Sequence, residues 1–573
     1  MRMHIQNLLF ITALLLSIAT IISAPHIDNT VNNPYVKDGD YILFYARCLP
    51  ITYYISIPLL VISAFSSRNR TIRILSVFMV ITLIELLPSR ILVNPWLPDQ
   101  YPYLSEPMWI YRNGHIANIH YLAIVPGLGL TFSQLMLVTG MREPFILSRY
   151  ISPFLASLIL LLATYAIGKT LRRERWEIAL IAILIFLAVN FEHINIFHRN
   201  TLFFIYYQFL MLSIIQVLLH PSPQSLMLFI LFMIASTLTY PGTVILLTAL
   251  AVMFVLIVAS PVTRIFSKMS NTVVALRLRQ ILIQYRYPIK TKVTILLGSA
   301  LVIFISWNLY VSGDIYRMVS TVVDALRELM EPVYLVNPYH AASGATLTPA
   351  FKNIINFRLI FGGILLSSAL IIPLFQSSSS RESDVLYVMY IGHIISIAPL
   401  VFSSWGLWAL SKFLRYLFYL SSILIAYYSF TSTCRKVYLY HILLILYIIT
   451  GLVLLPVTRY ASLPYLTPST EEITSTTFIH EHYTMLKKPI YYTEYPPYIR
   501  ALLGYPPDWE LSMILGNLDL NNSNIMVVSR FNTRDIYYNY DIPCNILVNM
   551  LRDELPKTRN LVYVSSETQL FIG

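Results

Sequence analysis

The sequence predicts a polytopic α-helical membrane protein of about thirteen transmembrane helices, with a small C-terminal α/β extracytoplasmic domain. Three observations carry that expectation. Charged residues make up 12% of the 573-residue chain, about half the usual share of a soluble protein. Hydrophobic residues reach 57% and the mean hydropathy is +0.65. The apolar residues also gather in runs close to the ~20 that a helix needs to cross the hydrocarbon. A soluble chain of this length needs several domains with charged surfaces, which this composition cannot cover. Disordered, collagenous and disulfide-rich classes are excluded as well. Cys48, Cys434 and Cys544 stand far apart, so neither a zinc site nor a disulfide framework is indicated.

Thirteen runs qualify as spans: 6–23, 41–65, 73–93, 146–168, 178–192, 201–219, 225–240, 242–260, 291–311, 355–374, 386–404, 408–429 and 438–456. The run 178–192 is short, and Tyr240-Pro241-Gly242 marks either a tight hairpin or a kink within one helix. The first run reads as a helix, with a cleaved signal peptide as the alternative, because Arg2 precedes it and Ser23-Ala24 ends it.

The net charge of +12 would indicate nucleic acid in a soluble protein, but here it follows topology and no nucleic-acid partner is expected. With the N-terminus in the cytoplasm, the loops 66–73, 169–177 and 261–292 and the pair Arg435-Lys436 all fall on the inner side. The run 261–292 holds seven basic residues and no acidic one, consistent with topology and contact with anionic membrane lipids. The chain then divides into an N-terminal transmembrane extension (1–72), a core (73–456) with long outer loops 94–145 and 312–354, and an extracytoplasmic domain (457–573) with strand-like pieces at 524–528 and 560–564.

Chemistry at the outer face is expected first in the loop 94–145. Trp96, Tyr101, Tyr103, Trp109 and Tyr111 form an interfacial belt around Asp99 and Glu106. A carboxylate beside apolar rings tends to a raised pKa and suits general-base work. The alternative is a helix cap or a partner for Arg112. Seven residues separate the two acids, and Pro102 and Pro107 argue against one unbroken helix between them.

The order along the chain resembles a known family. A spanning helix leads to Asp99 in its aromatic loop, then to Ile110-Tyr111-Arg112-Asn113-Gly114, Val125-Pro126-Gly127 and the helix start Ser148-Arg149-Tyr150. A late helix start, Ser411-Lys412-Phe413-Leu414-Arg415-Tyr416, and the closing stretch from Glu554 complete the pattern. Over 73–460 and the last strands this is similar to the GT-C superfamily of membrane glycosyltransferases, such as protein mannosyltransferases and aminoarabinose transferases. It departs from them in Gln100, which follows the acid where a Glu is common, in His198-Arg199-Asn200, and in two extra N-terminal helices. A Trp-Trp-Asp motif is absent, which argues against en bloc glycan transfer.

The resemblance implies a sugar donor on a polyprenyl or dolichyl phosphate and a protein, lipid or glycan acceptor hydroxyl. It implies inversion at the sugar and Asp99 as the base, with Glu106 the second catalytic candidate. Arg199, Lys412 and Arg415, expected at outer helix ends, are candidate phosphate ligands; snorkelling to headgroups is their alternative. His340 is a candidate groove residue from the second long loop. No cofactor is expected. Asp38-Gly39-Asp40 has the spacing of a divalent-metal pair but also reads as a common turn, and the outer histidines match no ligand motif. A transporter or flippase of a lipid-linked substrate, and a transferase-like scaffold without activity, are the competing functions; 18 glycines and no repeated half speak against the transporter.

Overall fold

The computed structural model describes residues 2–26, 44–92, 100–116, 126–142, 146–172, 176–190, 198–240, 242–258, 273–310, 349–375, 380–401, 406–431, 437–459, 490–492, 525–529, 560–564 and 568–572. Within these, helices follow the apolar runs. They are α1 (Arg2–Ser23), α2 (Phe44–Cys48), α3 (Ile51–Ser66), α4 (Arg70–Glu85), α5 (Leu87–Ile91), α6 (Gln100–Asn113) and α7 (Gly127–Thr139). After a π-helical turn at Leu147–Ile151 come α8 (Ser152–Leu171), α9 (Glu177–Val189), α10 (Arg199–Leu219), α11 (Pro223–Thr239) and α12 (Thr243–Val258). The series ends with α13 (Val273–Tyr310), α14 (Pro349–Ile371), α15 (Arg381–Val401), α16 (Gly406–Thr431) and α17 (Val437–Thr458).

Among the described residues, six segments are long and apolar enough to cross a membrane: Gln6–Ser23, Leu147–Leu171, Arg199–Leu219, Ile289–Leu309, Phe413–Phe430 and Tyr440–Thr458. The other apolar helices are shorter, so multi-pass character is evident while the count of thirteen crossings remains an expectation. The runs 225–240 and 242–260 form two separate helices, as the break in the sequence allows, and Tyr240, which ends the first, is extended (φ −159°, ψ 137°). Another boundary differs from the sequence reading. The basic stretch read as a loop is helical from Val273 onward, giving α13 38 residues. The run Ala275-Leu276-Arg277-Leu278-Arg279-Gln280 near its start favours helix.

The centre of the bundle is α9, where every residue from Ile178 to Val189 is buried. A helix apolar all round has no polar face to turn outward and takes the inside position. It packs against α8, α16 and α17. Gly168 on α8 permits one of these approaches, since a Cβ there would lie 3.1 Å from Ala179 Cβ.

The end of α17 is fastened from three sides. Arg459 donates to both oxygens of Glu85, the last residue of α4, at 2.9 Å each, and both side chains are fully buried. Arg358 of α14 donates from Nε to the Thr458 carbonyl at 2.7 Å, and the Tyr53 hydroxyl of α3 donates to the Leu452 carbonyl at 3.4 Å.

The C-terminal region contains a four-stranded sheet of β1 (Ile490–Tyr492), β2 (Ile525–Ser529), β3 (Asn560–Val564) and β4 (Thr568–Ile572), in the order β1-β2-β4-β3. β1 and β2 are parallel, and the other pairs are antiparallel. The helices expected of an α/β domain fall outside the described residues.

Candidate functional site

Of the six expected site residues, Glu106, Arg199 and Arg415 are described with their side chains, and Lys412 is described as part of the α16 backbone. Asp99 and His340 lie outside the described residues, as do Asp38 and Asp40.

α6 runs unbroken through both of its prolines, contrary to the expectation of a break. Pro102 falls in the first turn, where an N–H has no intrahelical partner anyway. The inward side of α6 places Leu104 and Met108 against Leu128, Phe132 and Met136 of α7, with Leu147 and Leu202 closing the cluster. Glu106 is buried beside this apolar patch and meets Arg199, not Arg112. Its Oε2 accepts from Arg199 Nη2 at 3.1 Å, with the two side chains 2% and 1% exposed. Burial pushes the Glu106 carboxyl above the usual carboxylate range, while the charge and hydrogen bond of Arg199 pull it back in part. Oε1 has no hydrogen bond among the described residues.

Two glycines explain how α7 comes so close. A Cβ on Gly129 would overlap Cγ and Cδ of Glu106, and one on Gly127 would lie 2.5 Å from Thr239 Oγ1 on α11. Gly129→Ala is therefore expected to lower stability by about 1–3 kcal/mol through overpacking, although alanine itself favours helix by about 1 kcal/mol. The check is the thermal unfolding midpoint in detergent, which should fall.

Arg199 opens α10. The helix start is set by His198, whose Nδ1 accepts from the Asn200 N–H at 2.9 Å. The next residue reaches α16: the Tyr416 hydroxyl donates to Asn200 Oδ1 at 2.5 Å. Beside it, the buried Arg415 guanidinium lies 5.5 Å from the ring centre of Phe204. Lys412 stands about one turn earlier on α16. Burial of Arg199 and Arg415 departs from the snorkelling alternative, in which charged heads reach open headgroups.

Deeper along α10, the Tyr207 hydroxyl meets His393 Nε2 of α15 at 2.9 Å, and His393 Nδ1 bonds the Met389 carbonyl at 2.8 Å. A carbonyl only accepts, so Nδ1 carries a proton and the neutral ring accepts from Tyr207 at Nε2. The heads of α10 and α16 are thus aligned by an interlocked set of polar and aromatic contacts.

A further positioning residue escaped the sequence reading. Arg149, in the π-helical turn before α8, donates from Nε and Nη2 to the Ser89 carbonyl (3.0 and 2.8 Å) and from Nη2 to the Leu92 carbonyl (2.7 Å). These carbonyls immediately precede residues 93–99. Arg149 therefore holds the described chain that ends at Leu92, and Arg199, through Glu106, holds α6, which begins at Gln100. The sequence signal was the Ser148-Arg149-Tyr150 helix start, but its partners cannot be read from spacing. Among the described residues, no group of three or more His, Cys, Asp and Glu side chains converges on a metal-sized site.

No family model matches the chain, and no curated protein matches it in sequence. Among solved structures it is similar to the crystal structure of ArnT from Cupriavidus metallidurans bound to undecaprenyl phosphate, at 12% identity and a TM-score of 0.42, over 91% of this chain and 97% of that one. A likeness at that score and identity assigns neither site nor activity.

Proposed function

We propose that the chain is a multi-pass membrane glycosyltransferase that moves a sugar from a polyprenyl or dolichyl phosphate to an acceptor hydroxyl at the extracytoplasmic face. The observation that supports this reading is the fastening of the described residues on either side of 93–99: Arg149 bonds the Ser89 and Leu92 carbonyls, and the buried Glu106–Arg199 pair holds α6. Such fastening suits a base that must stay within reach of its proton.

In this mechanism Asp99 takes the acceptor proton, the acceptor oxygen bonds to the anomeric carbon from the face opposite the phosphate, and the anomeric carbon–oxygen bond to the phosphate breaks. Configuration inverts once, and the lipid phosphate leaves with the electron pair. Arg415 and Lys412, on the helix tied to the head of α10, are the proposed ligands of that phosphate, with Arg199 behind them. Low dielectric strengthens these contacts. Glu106 is a second candidate base, but its pairing with Arg199 favours a positioning role. His340 is the proposed groove residue of the second outer loop. The thirteen crossings, the cytoplasmic N-terminus and the extracytoplasmic α/β domain belong to the same proposal.

The test is Asp99→Asn in purified full-length protein, supplied in detergent with a radiolabelled polyprenyl-phosphate sugar. Wild-type protein should consume the donor without a sealed compartment, and the variant should lose about 100-fold or more with an unchanged gel-filtration profile. A transporter would consume nothing in detergent. Undiminished turnover in Asp99→Asn would remove that residue as the base.

A further inference from the structure

We propose that the other end of the bundle carries a binding site for the phosphodiester headgroup of an anionic phospholipid, built from Arg70 and Arg73 around Trp176. The two arginines stand three residues apart in the first turn of α4 and therefore share one side of that helix. Trp176 directly precedes α9, and Tyr165 stands on α8. The Arg70 guanidinium carbon is 5.2 Å from the Trp176 ring centre and 5.7 Å from that of Tyr165, and the Arg73 carbon is 5.8 Å from Trp176. Arg70 also donates to the Tyr165 hydroxyl, and Arg73 donates to the Ser67 carbonyl.

Each guanidinium is thus laid on an aromatic face. Stacking restrains the plane of the group and leaves its N–H edge to meet an anion, an arrangement that lysine cannot reproduce. Among the described residues one acid faces the group: Glu177 lies 3.4 Å from Arg73 and draws that charge inward. In sequence, Arg68, Lys169 and Arg172 bring the described residues of these two connections to five basic against one acidic.

The occupant follows from position. α8, part of a candidate span, ends at Leu171, and Arg172 follows it directly, while apolar residues begin again just after Arg73 on α4. The guanidiniums therefore stand where the hydrocarbon gives way to headgroups. Trp176 and Tyr165, amphipathic rings beside them, are the side chains that favour this depth. A lipid phosphate sits at that level by its own anchoring, whereas an acidic protein segment must be brought there. The site lies at the end of α4 away from Glu85, so its occupancy stands or falls separately from the transfer reaction.

The experiment is native mass spectrometry of delipidated full-length protein in detergent, titrated with phosphatidylglycerol and, in parallel, with phosphatidylcholine. Wild-type protein should bind phosphatidylglycerol in preference. Arg70→Gln, an exposed change with little risk to folding, should weaken that binding roughly fivefold, and the Arg70→Gln/Arg73→Gln double variant roughly 30-fold. Phosphatidylcholine binding should be unchanged in both, and Arg142→Gln should match wild type. An undiminished preference in the double variant overturns the proposal. Displacement of phosphatidylglycerol by millimolar inorganic phosphate, or by a polyglutamate peptide, also overturns it, in favour of a soluble anion or an acidic protein partner.

Discussion

Arg459→Met should be among the most destabilising single substitutions in the chain, at about 3–5 kcal/mol. The reason is the environment of its partner. Glu85 is fully buried and accepts two hydrogen bonds from Arg459. Removing the arginine leaves a carboxylate in a dry site, where an uncompensated charge is far more costly than a broken surface pair. Glu85→Leu strands the opposite charge, which keeps its proton, and should be at least as harmful. The Glu85→Leu/Arg459→Met double variant removes both charges together, and it should recover most of the loss or even exceed wild type by about 1–4 kcal/mol. Thermal unfolding midpoints of the four proteins in one detergent form the cycle that checks this. A double variant no better than either single one would mean that the pair contributes through neighbours other than each other.

The second large effect is expected at Glu106 and Arg199, and it should be asymmetric. Arginine keeps its proton in proteins, so Glu106→Gln leaves a permanent cation in the buried site without this carboxylate, at about 3–5 kcal/mol. In Arg199→Met the remaining Glu106 can take up a proton, which its burial already favours. That variant should therefore cost less, about 1–3 kcal/mol. Stability is read from unfolding midpoints and function from donor consumption by the fraction that remains folded. Both variants should reduce transfer, because each loosens the helix that follows Asp99. Equal unfolding midpoints for the two would contradict the asymmetry.

The helices were legible because their signal is local. A run such as 201–219 announces itself by composition, and the structure begins α10 only two residues earlier. The π-turn at Leu147 and the helical continuation back to Val273 were less visible, since both depend on how a segment is held and not on its average hydropathy. At the site, Glu106 and Arg199 were each singled out, yet for separate roles. Nothing local couples them: they stand 93 positions apart in sequence. Glu85 and Arg459 are farther apart still, by 374 residues, and Arg459 drew no attention. Spacing reports on neighbours along one helix, whereas buried ion pairs are made where distant helices end at the same level. Asp99 and His340 were chosen from local chemistry and order along the chain, and their surroundings fall outside the described residues.

The central helix α9 has only 13 residues, so it rises roughly 20 Å against a hydrocarbon depth of about 30 Å. Every residue from Ile178 to Val189 is enclosed by neighbouring helices, so this helix presents no open face along its length. Asn190, which ends it, is buried, and the chain regains described structure at His198, beside the Glu106–Arg199 contact. In the proposed reaction, a donor tethered to a long isoprenoid tail would meet the buried Arg199 and Arg415 beside the head of α10 while its tail stays among lipid chains.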